Sequence, residues 1–384
     1  MKNDNLDIYK FGGSSLADSD CLSHVCDLIH QNSSDNIIIV VSAMSGVTNQ
    51  LLAVSQEKND QNWNGIIDHF KKTLKEINID SEKKTELMAN FSKNLEIIEN
   101  LVAINQFDPG KTEENPVLGF GEVWSSNIVF NLLLSLSSKD PKKRNVHFLN
   151  PLDIVNLSYG EMGPIVNWKK SLDAFRRETQ NKSGIFIMGG FLASDKNEEP
   201  TNLGRNGSDY SASIFASLSK ASQLTIWTDV DGVMSADPRL VPEAQVIEHL
   251  TYNEAMELAY FGAKVIHPQT LGPAVENDIP VFIRNSYNPT HPGSRIEQEL
   301  KPSNSLHKEF QNLLDEDFKD RKLKENEIIT AIVTEITKNF IVVDCKAKME
   351  GMIPIEEFKN DDELVNLKIG SQIEVYLERI ESFK

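Results

Sequence analysis

What most constrains this chain is a set of short, mostly apolar runs: Asp7 to Phe11, Asn36 to Val41, Gly184 to Met188, Leu224 to Thr228 and Pro280 to Ile283. A strand buried on one face alternates apolar with polar residues, whereas a strand covered on both faces stays apolar throughout. The intervals between these runs are long enough for helices, so the pattern predicts a mostly parallel sheet with helices on both sides. Between Ile66 and Asn105 apolar residues recur at helical spacing among many charges, without glycine or proline, which predicts a helical subdomain. Tyr252 to Phe261 reads as an amphipathic helix.

With 384 residues, 40% of them hydrophobic, the chain can bury a large core and divide into about two or three domains. Its 39 Lys plus Arg against 57 Asp plus Glu give a formal net charge of -18, which repels nucleic acid and anionic membrane at long range. Any phosphate site must therefore be built locally. Cys21, Cys26 and Cys345 are too few for a disulfide framework, lack metal-ligand spacing and suit a reducing cytoplasm. The polar start, Lys2 to Asn5, has no signal core, and Ile37 to Val41 is too short to span a bilayer, so the expectation is a cytoplasmic protein with no membrane contact.

Six segments put chemistry where predicted strands end and helices begin. In Lys10-Phe11-Gly12-Gly13-Ser14-Ser15, glycines let backbone N–H groups approach an anion, and Lys10 adds a full charge. A tight turn beside a solvated lysine is the plain alternative. Ser42 to Asn49 brings small hydroxyl residues, Ser42 and Thr48 among them, to the edge where open α/β sheets bind ligands, although helix capping explains Ser45 or Thr48 equally well. In Gly119-Phe120-Gly121-Glu122 an acid heads an apolar helical stretch, where it needs no role beyond meeting the helix dipole.

Thr201 to Ala212 is the densest segment. Arg205, between two glycines, has little to pack against and offers a planar fork suited to a carboxylate. Ser208 and Asp209 lie at a predicted helix start, where Asp209 could serve simply as an N-cap. Trp227 to Arg239 is a strand running into an acidic turn: Asp229 could accept ribose hydroxyls and Arg239 could face phosphate, or the whole is a turn rich in Asp and Gly. Phe261 to Pro268 supplies Lys264 just after a predicted helix. Gly110-Lys111-Thr112 imitates the end of a P-loop, but Asn105 stands where its first glycine belongs.

Together and in this order, the six segments resemble the aspartokinases of the amino-acid kinase superfamily from about Asp7 to Ile296. The likeness is closest to the kinase half of bifunctional aspartokinase–homoserine dehydrogenases, through Leu203 to Ser211 and Ile226 to Val233; no dehydrogenase portion is seen. The resemblance implies an α/β fold, a three-layer αβα sandwich with a mostly parallel central sheet over residues 1–298, with aspartate in the N-terminal lobe and ATP in the C-terminal lobe. It implies ATP and Mg²⁺ as cofactors, with Lys10 binding the transferring phosphoryl group, Asp209 organising that lysine, and Lys264 joining it. The amides of Gly12, Gly13 and Ser14 would cradle phosphates. Thr48, Glu122 and Arg205 would hold aspartate, the arginine on its α-carboxylate and the glutamate on its α-ammonium, with Ser42 and Ser208 as further substrate-side candidates. Thr228, Asp229, Met234, Arg239 and Lys264 match the family's nucleotide contacts. Met234 stands where many aspartokinases have Tyr, and the ACT domains that usually follow and bind lysine or threonine are not seen, so the expectation is a kinase without end-product control. A homo-oligomer is compatible with the sequence.

Residues 299–324 read as a linker and a helix in which Phe310, Leu313, Leu314 and Phe318 share a face. Residues 325–384 read as short strands of a small all-β domain, Ile328 to Thr334, Phe340 to Asp344 and Gln372 to Leu377. Lys348 to Phe358 resembles the OB-fold repeat of the large RNA-binding ribosomal protein of the small subunit, and the barrel is expected to be incomplete. The tail holds 7 Lys plus Arg and 13 Asp plus Glu, a balance of 7 − 13 = −6, which argues against nucleic acid as its partner. Two competing readings are a kinase for another acid such as N-acetylglutamate, and a silent kinase lobe serving an RNA- or ribosome-binding tail. The aspartokinase settings of Glu122 and Arg205 oppose the first; intact Lys10, Arg205, Asp209 and Lys264 oppose the second.

Overall fold

The computed structural model describes residues 6–32, 34–56, 60–104, 115–160, 163–204, 206–236, 241, 243–260, 268–298, 327–336, 340–344, 351–355 and 368–377. The chain divides into two compact units, Met1–Leu300 and Lys301–Lys384. The linker and helix expected over 299–324 lie outside the described residues.

In chain order, the strands of the first unit are β1 (Leu6–Phe11), β2 (Asn36–Val41), β3 (Val146–Phe148), a hairpin of β4 (Leu157–Gly160) and β5 (Gly163–Val166), β6 (Ile185–Gly189), a ribbon of β7 (Leu192–Ser194) and β8 (Pro200–Asn202), then β9 (Gln223–Thr228), β10 (His249–Thr251), β11 (Val281–Asn285) and β12 (Ser294–Glu297). Eight of them form one sheet in the order β10-β12-β11-β9-β1-β2-β6-β3. All neighbours run parallel except β11 and β12. The helices are α1 (Ser19–Gln31), α2 (Val47–Gln56), α3 (Asp60–Glu76), α4 (Ser81–Ile104), α5 (Phe120–Ser135), α6 (Trp168–Thr179), α7 (Gly207–Ser219), α8 (Tyr252–Tyr260) and α9 (Gly272–Val275).

The layers follow from the pleat, because successive side chains of a strand face opposite sides. Tyr9, Phe11, Ile37, Ile39, Val41, Ile185 and Ile187 pack with apolar residues of α1 to α5. Ile8, Ile38, Val40, Phe186, Met188, Leu224, Ile226, Val281 and Ile283 pack on the other side, with residues of α6 to α9. This is a three-layer αβα sandwich around a mostly parallel sheet, as the apolar runs predict. Phe186 is fully buried at its centre, so Phe186→Ala is expected to cost about 3–5 kcal/mol, readable as a lowered urea midpoint.

The helical subdomain is two helices, α3 and α4, rather than a single continuous one. Phe70 and Phe91 stack between them with ring centroids 3.9 Å apart, and Trp124 of α5 closes the cluster edge-on. The stretch Pro116–Ser135 is long and apolar enough to cross a membrane, but 72% of its most apolar window is buried inside the fold, as expected of a core helix.

The second unit is an antiparallel sheet of β13 (Glu327–Ile336), β14 (Phe340–Asp344), β15 (Gly351–Pro354) and β16 (Gln372–Leu377) in the order β15-β14-β13-β16. Ala331, Val333, Ile341 and Val343 form its core, in keeping with the OB-like expectation. Its other face exposes the register partners Ile328 and Tyr376.

Candidate active site

Parallel strands carry their carboxyl ends to one edge of the sheet, and open α/β sheets bind ligands at that edge. Here it gathers Gly12 to Ser14 after β1, Ser42 to Gly46 after β2, Gly189 and Gly190 at the end of β6, and Thr228 and Asp229 at the end of β9. Lys10 lies two residues beyond Ile8 and so faces the α7 layer. There its Nζ meets Oδ1 of Asp209 at 2.6 Å, with both side chains largely buried. Asp209 is not the helix cap. Asn206 is, in the left-handed region at φ 55°, which puts Ser208 and Asp209 inside the first turn of α7. Arg205, next to that cap, lies outside the described residues.

A cleft of about 550 Å³ opens beside this ion pair. Lys10, Gly13, Ser42, Thr48, Glu122, Ser208 and Asp209 line it, so seven of the predicted residues, drawn from four separate segments, converge on one cavity. Glu122 sits in the first turn of α5 and is 4% exposed. Ser208 Oγ donates to its Oε1 at 3.5 Å, while its Oε2 is buried with no hydrogen-bond partner. Burial, the dominant effect, pushes the Glu122 carboxyl up to about 8, against the lowering pull of backbone N–H groups, the Ser208 hydroxyl and the Lys10 charge. A buried, half-satisfied carboxyl that gives up its proton reluctantly is suited to a cationic ligand.

The sequence reading missed the walls of this cleft. Gly189 and Gly190 close β6 as Gly12 and Gly13 follow β1, and that parallel is the signal that could have found them. A Cβ on Gly190 would lie 2.7 Å from Ser208 Cβ, and one on Gly189 would lie 3.0 Å from the Glu122 carbonyl. Only glycines let α5 and α7 close this tightly on the strand end. Phe191 follows at φ 68°, an unusual conformation for an aromatic residue, held by its N–H bond to Ser211 Oγ at 2.8 Å and by its carbonyl accepting from Leu203 N at 2.8 Å. Met44, Ser45, Gly46, Asn49, Phe191 and Asn206 also line the cleft.

Gly12, Ser14, Thr228, Asp229 and Met234 do not line this cleft. They mark a second region along the β1 and β9 ends, where Gly12 N donates to Trp227 O at 3.4 Å. Thr228 Oγ1 donates to the exposed Asp229 carboxylate at 3.2 Å, and Met234 bridges Val246 in the following turn. Asp231 is a structural member of that turn: its Oδ1 accepts from the side-chain amides of Asn285 at 2.8 Å and Asn288 at 3.2 Å. Arg239 and Lys264 lie outside the described residues. Among the described residues no group of three or more His, Cys, Asp or Glu side chains could hold a metal.

Residues 6–285 match the amino acid kinase family, and residues 322–384 match the S1 RNA binding domain. The chain belongs to the amino acid kinase family. Over 310 residues it is 34% identical to bifunctional aspartokinase/homoserine dehydrogenase 1, chloroplastic, of Arabidopsis thaliana, covering 78% of this chain and 33% of that protein. Over 301 residues it is 32% identical to lysine-sensitive aspartokinase 3 of Escherichia coli K12, covering 75% of this chain and 63% of that one. The fold superposes on the crystal structure of E. coli aspartokinase III in complex with aspartate and ADP with a TM-score of 0.68 at 24% identity, covering 84% of this chain and 76% of that chain. The chain thus spans about a third of the length of the bifunctional relatives it matches.

Proposed function

We propose that this chain is an aspartate kinase, which transfers the γ-phosphoryl group of ATP to the side-chain carboxylate of L-aspartate and yields 4-phospho-L-aspartate, the first step toward lysine, threonine and methionine. The observation that carries this reading is the single cleft shared by the Lys10–Asp209 pair and the buried, half-satisfied Glu122. Relatives named aspartokinases support the choice of substrate.

In the proposed site, aspartate lies in the cleft with its α-ammonium on Glu122 and its α-carboxylate on Arg205, while Ser42, Thr48 and Ser208 complete the pocket. Gly12, Gly13 and Ser14 present backbone N–H groups to the ATP phosphates, and Thr228, Asp229, Met234, Arg239 and Lys264 contact the nucleotide. Magnesium would enter on the phosphate oxygens, as is usual for an ion that keeps several waters and few protein ligands. Two anions must meet, and charge spreads over the phosphoryl oxygens as the bond to the leaving oxygen loosens. Lys10 and Lys264 offset that repulsion. Aspartate's side-chain carboxylate is already ionised at neutral pH, so no general base is required and positioning with electrostatic stabilisation carries the rate. The unpartnered Glu122 oxygen favours a free α-ammonium over an acetylated nitrogen, because an amide cannot neutralise a buried carboxylate.

The test is to trap acyl phosphate with hydroxylamine in the presence of ATP and magnesium. Hydroxamate with aspartate alone is the expected result. Product with N-acetylglutamate, or with neither acid, would overturn the assignment. The acidic C-terminal unit has no part in this chemistry, and nucleic acid is not among its proposed partners.

A further inference from the structure

The loop that follows β11 was not singled out by the sequence, yet it holds three parts of the nucleotide region at once. Ser286 N donates to Thr228 O at 2.8 Å, and Ser286 Oγ reaches the same carbonyl at 3.2 Å. Ser286 Oγ also lies 3.0 Å from Ser15 Oγ in the glycine-rich turn, a buried contact spanning 271 positions of chain. The next residue, Tyr287, donates its hydroxyl to Ser14 O at 3.2 Å. Asn285 and Asn288, which flank the pair, hold Asp231 of the acidic turn.

Tyr287 is 54% exposed, which is unusual for a ring with so fixed a setting. Its ring stacks on His24 with centroids 5.9 Å apart and planes within 2°, and the His24 imidazole is itself hydrogen-bonded to Ser286 O. Cys21 Sγ lies 3.2 Å from the Tyr287 hydroxyl. That contact, with some burial, pushes the phenol up to about 12, so the hydroxyl keeps its proton and remains a donor at any physiological pH. An exposed tyrosine gains little from burial, and nothing in the packing of the sheet requires its hydroxyl. Its hydrogen bond instead fixes the orientation of one particular peptide, Ser14–Ser15, whose N–H is also taken up by Gly12 O at 3.1 Å. With both polar groups of that peptide tied back, the turn holds one conformation, and the preceding amides of Gly13 and Ser14 hold one direction.

We infer that Tyr287 and Ser286 are positioning residues for the phosphate-binding turn, acting on the triphosphate through the Gly12–Ser14 backbone rather than by touching it. This rests on the kinase reading above for the identity of the ligand, but the geometry concerns the turn alone. Tyr287→Phe keeps the ring and its stack on His24 while removing only the hydroxyl. Losing that one bond should weaken MgADP binding and raise the KM for MgATP about fivefold, with the aspartate KM within twofold and the melting temperature unchanged. Ser286→Ala should act in the same direction, and the double variant should be less than additive because both act on one turn.

MgADP titration of the full chain and steady-state kinetics separate this inference from the function it rests on. Weaker MgADP binding by Tyr287→Phe, in a wild-type chain that binds MgADP but phosphorylates no aspartate, supports the positioning role and removes the kinase reading. Unchanged MgADP affinity and ATP KM in Tyr287→Phe, in an active wild type, overturn the positioning role alone. A fall in melting temperature with unaltered ATP KM also overturns it, since that is what a purely structural tyrosine would give.

Discussion

Replacing Lys10 by alanine is expected to lower kcat for aspartyl phosphate formation by on the order of a hundredfold or more, the usual loss when a preorganised donor is removed from a site of developing charge. The argument begins with β1. Its even-numbered side chains, Leu6 and Ile8, fill the α6–α9 side of the core, so Lys10 must continue on that side and emerge at the strand's end against α7. Asp209 in the first helical turn then fixes its ammonium at 2.6 Å. Reaching that point costs lysine side-chain entropy and desolvation, which an isolated surface ion pair would hardly repay. A charge held there gains its value only when a second anion arrives. Lys10→Ala also strands the Asp209 carboxylate, so the control is Lys10→Ala with Asp209→Asn, which restores stability without restoring turnover. Near-normal kcat in Lys10→Ala would remove the lysine from the mechanism.

The sheet was legible because double-sided burial leaves an uninterrupted record: the five apolar runs match β1, β2, β6, β9 and β11 to within a residue or two at each end. Strands of three or four residues, such as β3, β7, β8, β10 and β12, leave no run long enough to read, and they exist because neighbouring strands recruit them. In the helical subdomain the short break between α3 and α4 at Ile77 to Asp80 carries no glycine or proline, so nothing in the sequence marks it. The site was legible where charge or glycine sits at a strand end, as with Lys10, Glu122 and Asp209. It was illegible where function rests on close approach or on backbone hydrogen bonds. Gly189 and Gly190 read simply as the end of a strand, and the Ser286–Tyr287 contacts join positions more than 260 residues apart.

The second large effect concerns Glu122, and its sign can be worked out from burial alone. The free protein holds this carboxyl up to about 8, well above its ordinary value of 4.5, so below that pH the site is protonated and neutral. An α-ammonium needs the carboxylate. Binding aspartate between pH 6 and 8 must therefore displace one proton, and the aspartate KM should fall by up to about tenfold per pH unit across that range, then level off. Glu122→Gln copies the protonated form and should abolish this slope while weakening aspartate by about 2–5 kcal/mol, on the order of thirtyfold or more, with the ATP KM little changed. Stability should move the other way. A carboxyl whose folded pKa is raised contributes fully below its unfolded value of 4.5, and that contribution is lost as pH rises toward 8, so at pH 8.5 the glutamine variant should melt higher than the wild type. A variant that gains stability as it loses substrate is what a charge buried for binding predicts, whereas a structural glutamate would lose both. A flat wild-type aspartate KM between pH 6 and 8.5, or unimpaired aspartate use by Glu122→Gln, would end the case for Glu122 as the ammonium's partner.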